Sequence, residues 1–303
     1  MSAQNPLIVG EVLFDVFPDH QQVLGGAPFN VAWHLHGLGM EPTLLSRIGD
    51  DQNGKTILEA MQNWGLSTEL IQQDDSAPSG SVNINLHNNG SHSFNIGDNQ
   101  AWDNLKWTEQ LNQHNNKNTS WIYHGSLAMR HAENQALLQQ IQQADIPVFL
   151  DINLRDPWWD RDSIIRMIHA ANWLKINDEE FQQIVKSDTD APDWCQRIPE
   201  MHQNYHLDGL IVTCGASGAW IYDGDELLFS APETSVKVKD TVGAGDAFTA
   251  ICIFGLSHHW STQIILNRAL AFAAAICEIQ GATTSNRTFY ENFLQSWQAK
   301  NQT

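Results

Sequence analysis

An α/β fold with a mostly parallel sheet is what this 303-residue sequence predicts. Short apolar runs alternate with longer amphipathic stretches, an order that places helices on both faces of a parallel sheet. The strands are expected in "PLIVGEVLFDVF", "TLLSRIG", "SWIYHGS", "IPVFLDIN", "NWLKIN" and "GLIVTCG". The helices are expected in "APFNVAWHLHGLG", "NGKTILEAMQNWG", "HAENQALLQQIQQAD", "RDSIIRMIHAA", "DEEFQQIVKS" and "PDWCQRIPEMHQN". From Gly243 to about Gly281 the chain reads as largely helical. No linker or repeat divides residues 1–303, which predicts one domain.

One segment breaks this rhythm. "GSVNINLHNNGSHSFNIGDN" alternates with period two around Asn-Asn-Gly, the turn signal of a β-hairpin. Its faces are more polar than those of buried strands. Residues 78–98 are therefore expected to form a small β-flap beside the main sheet, joined by strands near residues 12–24. Such appendages close over ligands as lids.

Charge and composition exclude several classes of function. Lys and Arg total 16 against 35 Asp and Glu, a formal charge of −19. Such a surface repels phosphate backbones and anionic lipid, so neither nucleic acid nor membrane is an expected partner. The segment "MSAQNPLIVGEVLF" lacks the basic and long apolar parts of a secretion signal, and no run reaches the ~20 apolar residues of a spanning helix. A cytoplasmic protein is expected, so the sequons at Asn89, Asn118 and Asn286 carry no weight. Cys195, Cys214, Cys252 and Cys277 show no metal spacing and read as reduced core thiols. His34 and His36 lie two apart on a helix and cannot share a face, and His258 and His259 are adjacent, which argues against a metal-hydrolase centre.

The chemistry concentrates in "VKVKDTVGAGDAFTAICIFGL". Alternating Val and Lys suggest a strand leading in, and the apolar run after Asp246 fits only a buried helix. The turn Gly243-Ala244-Gly245 then sits at a helix N-terminus, where unpaired N–H groups and the helix dipole attract an anion. Residues this small leave room for phosphate to approach the backbone. Asp246 has two readings at this point. It is a first-turn helix cap, or it accepts a proton from a nucleophile attacking that phosphate.

A second phosphate pattern competes with it. "GDDQNGKT", Gly49 to Thr56, fits G-x-x-x-x-G-K-[ST] with a strand before it and a helix after it. Asp50 and Asp51 would stand inside a loop meant to wrap polyphosphate, and they would repel it. The pattern is therefore read as a decoy.

"DTVGAGDAF" resembles the C-terminal signature of the ribokinase-like (PfkB-type) carbohydrate kinases. "GGAPFNVAWHLHGLG", Gly25 to Gly39, resembles their N-terminal signature. "RIGDDQNGK", "DINLR", "KINDEE" and "VTCGASGAW" follow in the family's order, so the resemblance runs from about Leu7 to Ser285. "GGAP", "DINLR" and the polar flap are most similar to the fructokinase branch.

The resemblance implies a ribokinase-like three-layer sandwich and an ATP-dependent kinase for a neutral monosaccharide, D-fructose first. Ribose or 2-keto-3-deoxygluconate is the alternative, as is a sugar-binding regulatory protein that has lost catalysis. It makes Asp246 the general base, and it makes the backbone of Gly243, Ala244 and Gly245 the anion hole. Asp15, Gly25, Gly26 and Asn30 become the sugar site. Asn153 and Arg155, alternating with Asp151 on one side of an extended strand end, join it, with Arg155 also near the transferring phosphate. Asn177 and Glu180 match the family's N-x-x-E and would hold Mg²⁺ through water, while the same spacing is that of a capping box. Thr213, Gly215 and Gly218, with Gly243 and Gly245, would meet the nucleotide. Asp240 and Ser285 match a site for a monovalent cation such as K⁺. A homodimer through the β-flap is a further implication.

Departures from the family pattern are also visible. Val242 replaces a commoner Thr, and Leu270 stands where relatives often carry Asn near the adenine. Phe29 and Trp33 are bulky for the "GGAP" helix, so they either pack the core or reshape the sugar pocket. Trp102 and Trp158–Trp159 are candidates to stack on a sugar.

Overall fold

The computed structural model describes residues 5–86, 92–115, 119–185, 193–232 and 237–300. In chain order the strands are β1 (Asn5–Val9), β2 (Leu13–Val16), β3 (Gln22–Gly25), β4 (Thr43–Gly49), β5 (Ile71–Asp74), β6 (Gly80–Leu86) and β7 (His92–Ile96). They continue as β8 (Thr119–Gly125), β9 (Val148–Asp151), β10 (Trp173–Asn177), β11 (Gly209–Thr213), β12 (Ala219–Tyr222) and β13 (Leu227–Ser230). The helices are α1 (Ala27–Gly37), α2 (Gln52–Trp64), α3 (Glu109–Asn115), α4 (Ala132–Ile141) and α5 (Arg161–His169). After them come α6 (Asp178–Val185), α7 (Trp194–Tyr205), α8 (Ala244–Ser257), α9 (Thr262–Ile276) and α10 (Arg287–Lys300).

The main sheet has the order β13-β12-β11-β10-β9-β8-β1-β4-β5. It is parallel from β5 to β11, and β12 and β13 extend it antiparallel. Period-two geometry divides each strand between two cores. On β1, Leu7 and Val9 face the core packed by α4 to α7, whereas Ile8 faces the core packed by α1, α2, α8, α9 and α10. These three layers are the expected α/β architecture.

A second sheet, in the order β3-β2-β6-β7, stands apart from the first. β2 pairs antiparallel with β3 and parallel with β6, and β6 pairs antiparallel with β7. The Asn-Asn-Gly tip expected between β6 and β7 lies outside the described residues. The base of β7 is fastened to the body. The Trp158 indole N–H donates to the Ile96 carbonyl at 3.1 Å, and Arg130 donates to the Gly97 carbonyl at 2.8 Å. Arg130 lies between the rings of Trp102 and Trp158, 4.3 and 4.1 Å from their centroids, and pairs with Asp103.

Several sequence expectations are corrected. "PLIVGEVLFDVF" is two strands in two sheets, because the chain crosses at Gly10–Val12, where only Gly10 and Glu11 interrupt the apolar run. Lys237–Lys239 is not strand. Lys239 N–H docks on the Cys277 carbonyl, and Val238 is exposed instead of alternating into a core. Trp102 is fully buried, its N–H taken by Gln100, and cannot stack on a sugar. Of the four cysteines, all free, only Cys252 is a core residue, and Cys195 is exposed on α7. Phe29 and Trp33 settle as core, with Trp33 stacked on Trp64 at 5.1 Å, and Leu270 is likewise buried in α9. No described helix is long and apolar enough to cross a membrane.

The Walker-like segment is closed from within. Asp51 caps α2 by accepting from Gly54 N–H at 2.7 Å, and it accepts from the amide and hydroxyl of Ser79 at 2.8 and 2.7 Å. Gly49 N–H donates to the Ser79 hydroxyl at 3.0 Å. A carboxylate therefore occupies the place a phosphate would need, and Lys55 points to solvent from an exposed position. Lys55→Ala is expected to leave turnover and melting temperature nearly unchanged. Loss of activity in a folded Lys55→Ala protein would return the phosphate site to this loop.

Candidate active site

The parallel strands end on one side of the sheet, where open α/β sheets place their ligands. Around those ends lie Glu11 after β1, Asp151 to Arg155 after β9, and Asn177 at the end of β10. Asn177 pairs in register with Thr213 at the end of β11. The turn before α8 lies against the same strand ends, with Gly245 beside Lys175 and Thr249 bonded to Asp151.

That turn is held by shape. Gly243 adopts φ +77°, and a Cβ there would sit 2.3 Å from Ala282 Cβ, so only glycine fits. His34 on α1 clamps the same wall, its Nε2 3.0 Å from the Ala282 carbonyl and its Nδ1 3.0 Å from the Tyr290 hydroxyl. Burial pushes the His34 imidazole down to about 4, so it remains neutral. The first helical bond of α8 runs from Ala247 N–H to the Gly243 carbonyl. Ahead of it, the N–H groups of Gly245 and Asp246 have no acceptor among the described residues.

Asp246 is half-buried in that first turn. Its Oδ2 accepts from Asn30 Nδ2 at 2.8 Å, across 216 residues of sequence. Desolvation raises its carboxyl to about 6. The Asn30 bond opposes the rise, the Asp151 charge adds to it, and Lys175 and Arg155 oppose it. Asp15 on β2 joins the group, since its Oδ2 and the Asn30 amide both approach the open side of Gly25, at 3.6 and 3.9 Å from where a Cβ would project. Burial raises Asp15 to about 6, against the pull of Arg155. Gly26, at φ +104°, lies against the Glu11 carbonyl, where a Cβ would approach to 2.8 Å. Asp15, Gly25, Asn30 and Asp246 thus meet in one place with Gly26 beside them, whereas Arg155 is exposed, donates to the Leu154 carbonyl at 3.0 Å and reaches the group through its charge.

The nucleotide set is also adjacent but more structural. Glu180 N–H donates to Asn177 Oδ1 at 2.8 Å and Asn177 N–H donates to Glu180 Oε2 at 3.1 Å, a complete capping box. Glu180 Oε1 further accepts Leu154 N–H at 2.8 Å. Gly215 and Gly218 bracket a tight turn after β11, with Gly215 exposed and Gly218 buried. Asp240 accepts from Val242 and Gly281 N–H, both at 3.0 Å, tying the glycine loop to the segment after α9. Ser285 is exposed beyond that segment, and among the described residues no hydrogen bond joins it to Asp240. Asn153 presents a buried Nδ2 without a partner among the described residues. Trp159 N–H is held by Asp156, and Trp158 is committed to Arg130 and β7.

Two buried groups were not among the sequence candidates. Glu11 is 4% exposed, with Oε2 unpartnered among the described residues, and burial pushes its carboxyl up to about 7. Lys175, 4% exposed, forms an ion pair with Asp151 at 2.7 Å. Their signal was available, because a charged residue in an otherwise apolar strand run, as in "WLKIN" or "IVGEVLF", must have a buried partner or a task.

Comparison with known proteins gives the family of the chain. The description "pfkB family carbohydrate kinase" matches residues 15–288, and the chain belongs to that family. It is 28% identical to a protein named probable fructokinase-5 of Arabidopsis thaliana, over 92% of this chain and 93% of that one. It is 27% identical to an aminoimidazole riboside kinase of Salmonella typhimurium, over 94% and 93%. Among solved structures, a fructokinase with bound ATP from Xylella fastidiosa superposes with a TM-score of 0.81 at 19% identity, covering 98% of this chain and 99% of that one. The protein is a carbohydrate kinase.

Glu11 gives the site a pH signature. Its carboxyl holds a proton more tightly in the folded chain (about 7) than in the unfolded chain (4.5), so the fold loses stability as pH rises between those values. Glu11→Gln is expected to melt at a higher temperature than the parent at pH 8, by up to about 3 kcal/mol of stability. The difference should vanish below pH 4.5, and equal melting curves at pH 8 would show that Glu11 is not strained by burial.

Proposed function

We propose that the protein transfers the γ-phosphoryl group of ATP to a hydroxyl of a neutral monosaccharide, with D-fructose the first candidate. The observation that carries this reading is the meeting of Asp246, Asn30 and Asp15 beside the open N-terminus of α8. Asp15, Asn30 and Asn153 offer paired hydroxyl partners, and Gly25 leaves room for the sugar against the backbone. Asp246 accepts the hydroxyl proton while Gly245 and Asp246 N–H groups receive the phosphoryl oxygens. Arg155 is the cation whose charge reaches Asp15, Glu11 and Asp246.

The oxygen donors of Asn177 and Glu180 suit Mg²⁺. Both are already engaged in the capping box, so they fit a hydrated ion held through its waters. Mg²⁺ there would neutralise charge on the ATP phosphates. Thr213, Gly215 and Gly218 lie beside Asn177 and suit the nucleotide, and Asp240 suits a monovalent cation behind the glycine loop. Fructose is preferred on the named relatives, which include fructokinases; the riboside kinase among them keeps nucleosides in the test.

A coupled assay across fructose, ribose, 2-keto-3-deoxygluconate, nucleosides and fructose 1-phosphate is expected to give the highest kcat/KM with fructose. Activity confined to a nucleoside or a phosphorylated sugar would overturn the substrate, and no turnover on any would favour a regulatory sugar-binding protein. Asp246→Asn, which keeps an oxygen to accept the Asn30 bond, is expected to lower kcat by roughly 10²–10⁴ without lowering the melting temperature. In the parent, kcat/KM should rise with pH through about 6 as Asp246 loses its proton. Near-normal kcat in Asp246→Asn would leave Asp246 a structural partner of Asn30.

A further inference from the structure

Behind the glycine turn lies a chain of buried polar contacts. Lys175 on β10 donates to Asp151 Oδ1 at 2.7 Å, and the Thr249 hydroxyl contacts Asp151 Oδ2 at 2.7 Å. Thr249 Oγ1 also lies 3.0 Å from the Gly245 carbonyl, so the chain ends on the turn itself. Lys175 Nζ is 3.6 Å from where a Cβ on Gly245 would project. A buried ammonium therefore stands directly against the first turn of α8. Asp151 is fully buried and Lys175 nearly so.

We propose that Lys175 is a positioning residue for phosphoryl transfer, its ammonium fixed by Asp151 so that positive charge backs the Gly243–Asp246 turn. The proposal rests on the phosphotransfer reading of Asp246. A lysine confined to neutralising Asp151 could sit anywhere around that carboxylate, yet this one faces the turn. The groups around it are Asp151 on β9, Asp246 and the Cys252 thiol on α8, and Glu180 on α6. Those around Asp246 are Asn30, Asp151, Lys175 and Arg155, with Glu11 and the buried Tyr123 hydroxyl nearby. Within this set Asp151 and Lys175 act on Asp246 with opposite sign.

Opposite signs allow the role to be separated from a structural one. Lys175→Met and Asp151→Asn each break the same ion pair, so a purely structural pair predicts similar losses from either side. A positioning role predicts asymmetry. Lys175→Met is expected to lower kcat by roughly 10- to 100-fold with sugar KM changed little, and Asp151→Asn to lower it less. Lys175→Gln, which keeps a donor for Asp151 without the charge, replaces the Met variant if that one does not fold. The carboxyl titration of Asp246, followed by NMR in the resting ¹³C-aspartate-labelled protein, should move up in pH in Lys175→Met and down in Asp151→Asn. That titration is independent of whether any sugar is phosphorylated, so it fails separately from the kinase reading. Equal kcat losses, or midpoints shifted in the same direction, would overturn the proposal.

Discussion

The hydrogen bond from Asn30 to Asp246 joins the two ends of the chain at the one point where chemistry is arranged. It exists because α1 and α8 pack side by side on the same face of the sheet, with Phe29, Val31 and Ala250 in one core. That packing in turn needs the close approach of Gly243 to Ala282, which His34 secures from α1. A helix pair that closed less tightly would part the carboxylate from the amide. Strand order, helix packing and a neutral buried histidine thus converge on a distance of 2.8 Å.

Burial of carboxylates is the cost of this arrangement. Glu11, Asp15 and Asp246 are all raised by desolvation, in a chain that is already strongly acidic. Cations are few, and the fold places Lys175 below the cleft and Arg155 beside it. Desolvated carboxyls of this kind cost stability and gather where a site uses them. Asp51 shows the contrasting case, since backbone and hydroxyl donors satisfy it and hold its carboxyl below the usual range.

Much of this was legible in the sequence because the buried strands are short apolar runs and the helices carry separate amphipathic patterns. Gly243 to Asp246 read correctly as a helix start, since only a helix accommodates "DAFTAICIFGL". Three failures have physical causes. The apolar run is interrupted at Gly10–Val12 by Gly10 and Glu11 alone, too short a break to mark a change of sheet. "VKVK" has strand alternation, but Val238 is exposed and the Lys239 N–H docks on the end of α9. Trp102 looked available because tryptophans bind sugars, whereas its indole is consumed by Gln100 and Arg130. Lys175 escaped notice for the opposite reason, being read as part of a strand when its burial was the informative fact.

The crossing between β1 and β2 has a mechanical outcome. Asp15 belongs to the small sheet, whereas Asp246 stands on α8, which packs against the large one. A molecule bound by both would be held as between the two jaws of a caliper, one jaw on the small sheet and one on α8. Any tilt of the small sheet changes the gauge of that opening, so the length of the guest and the angle of the jaw are one variable. Trp158 and Arg130, bolting the base of β7 to the frame, limit how far the jaw can travel.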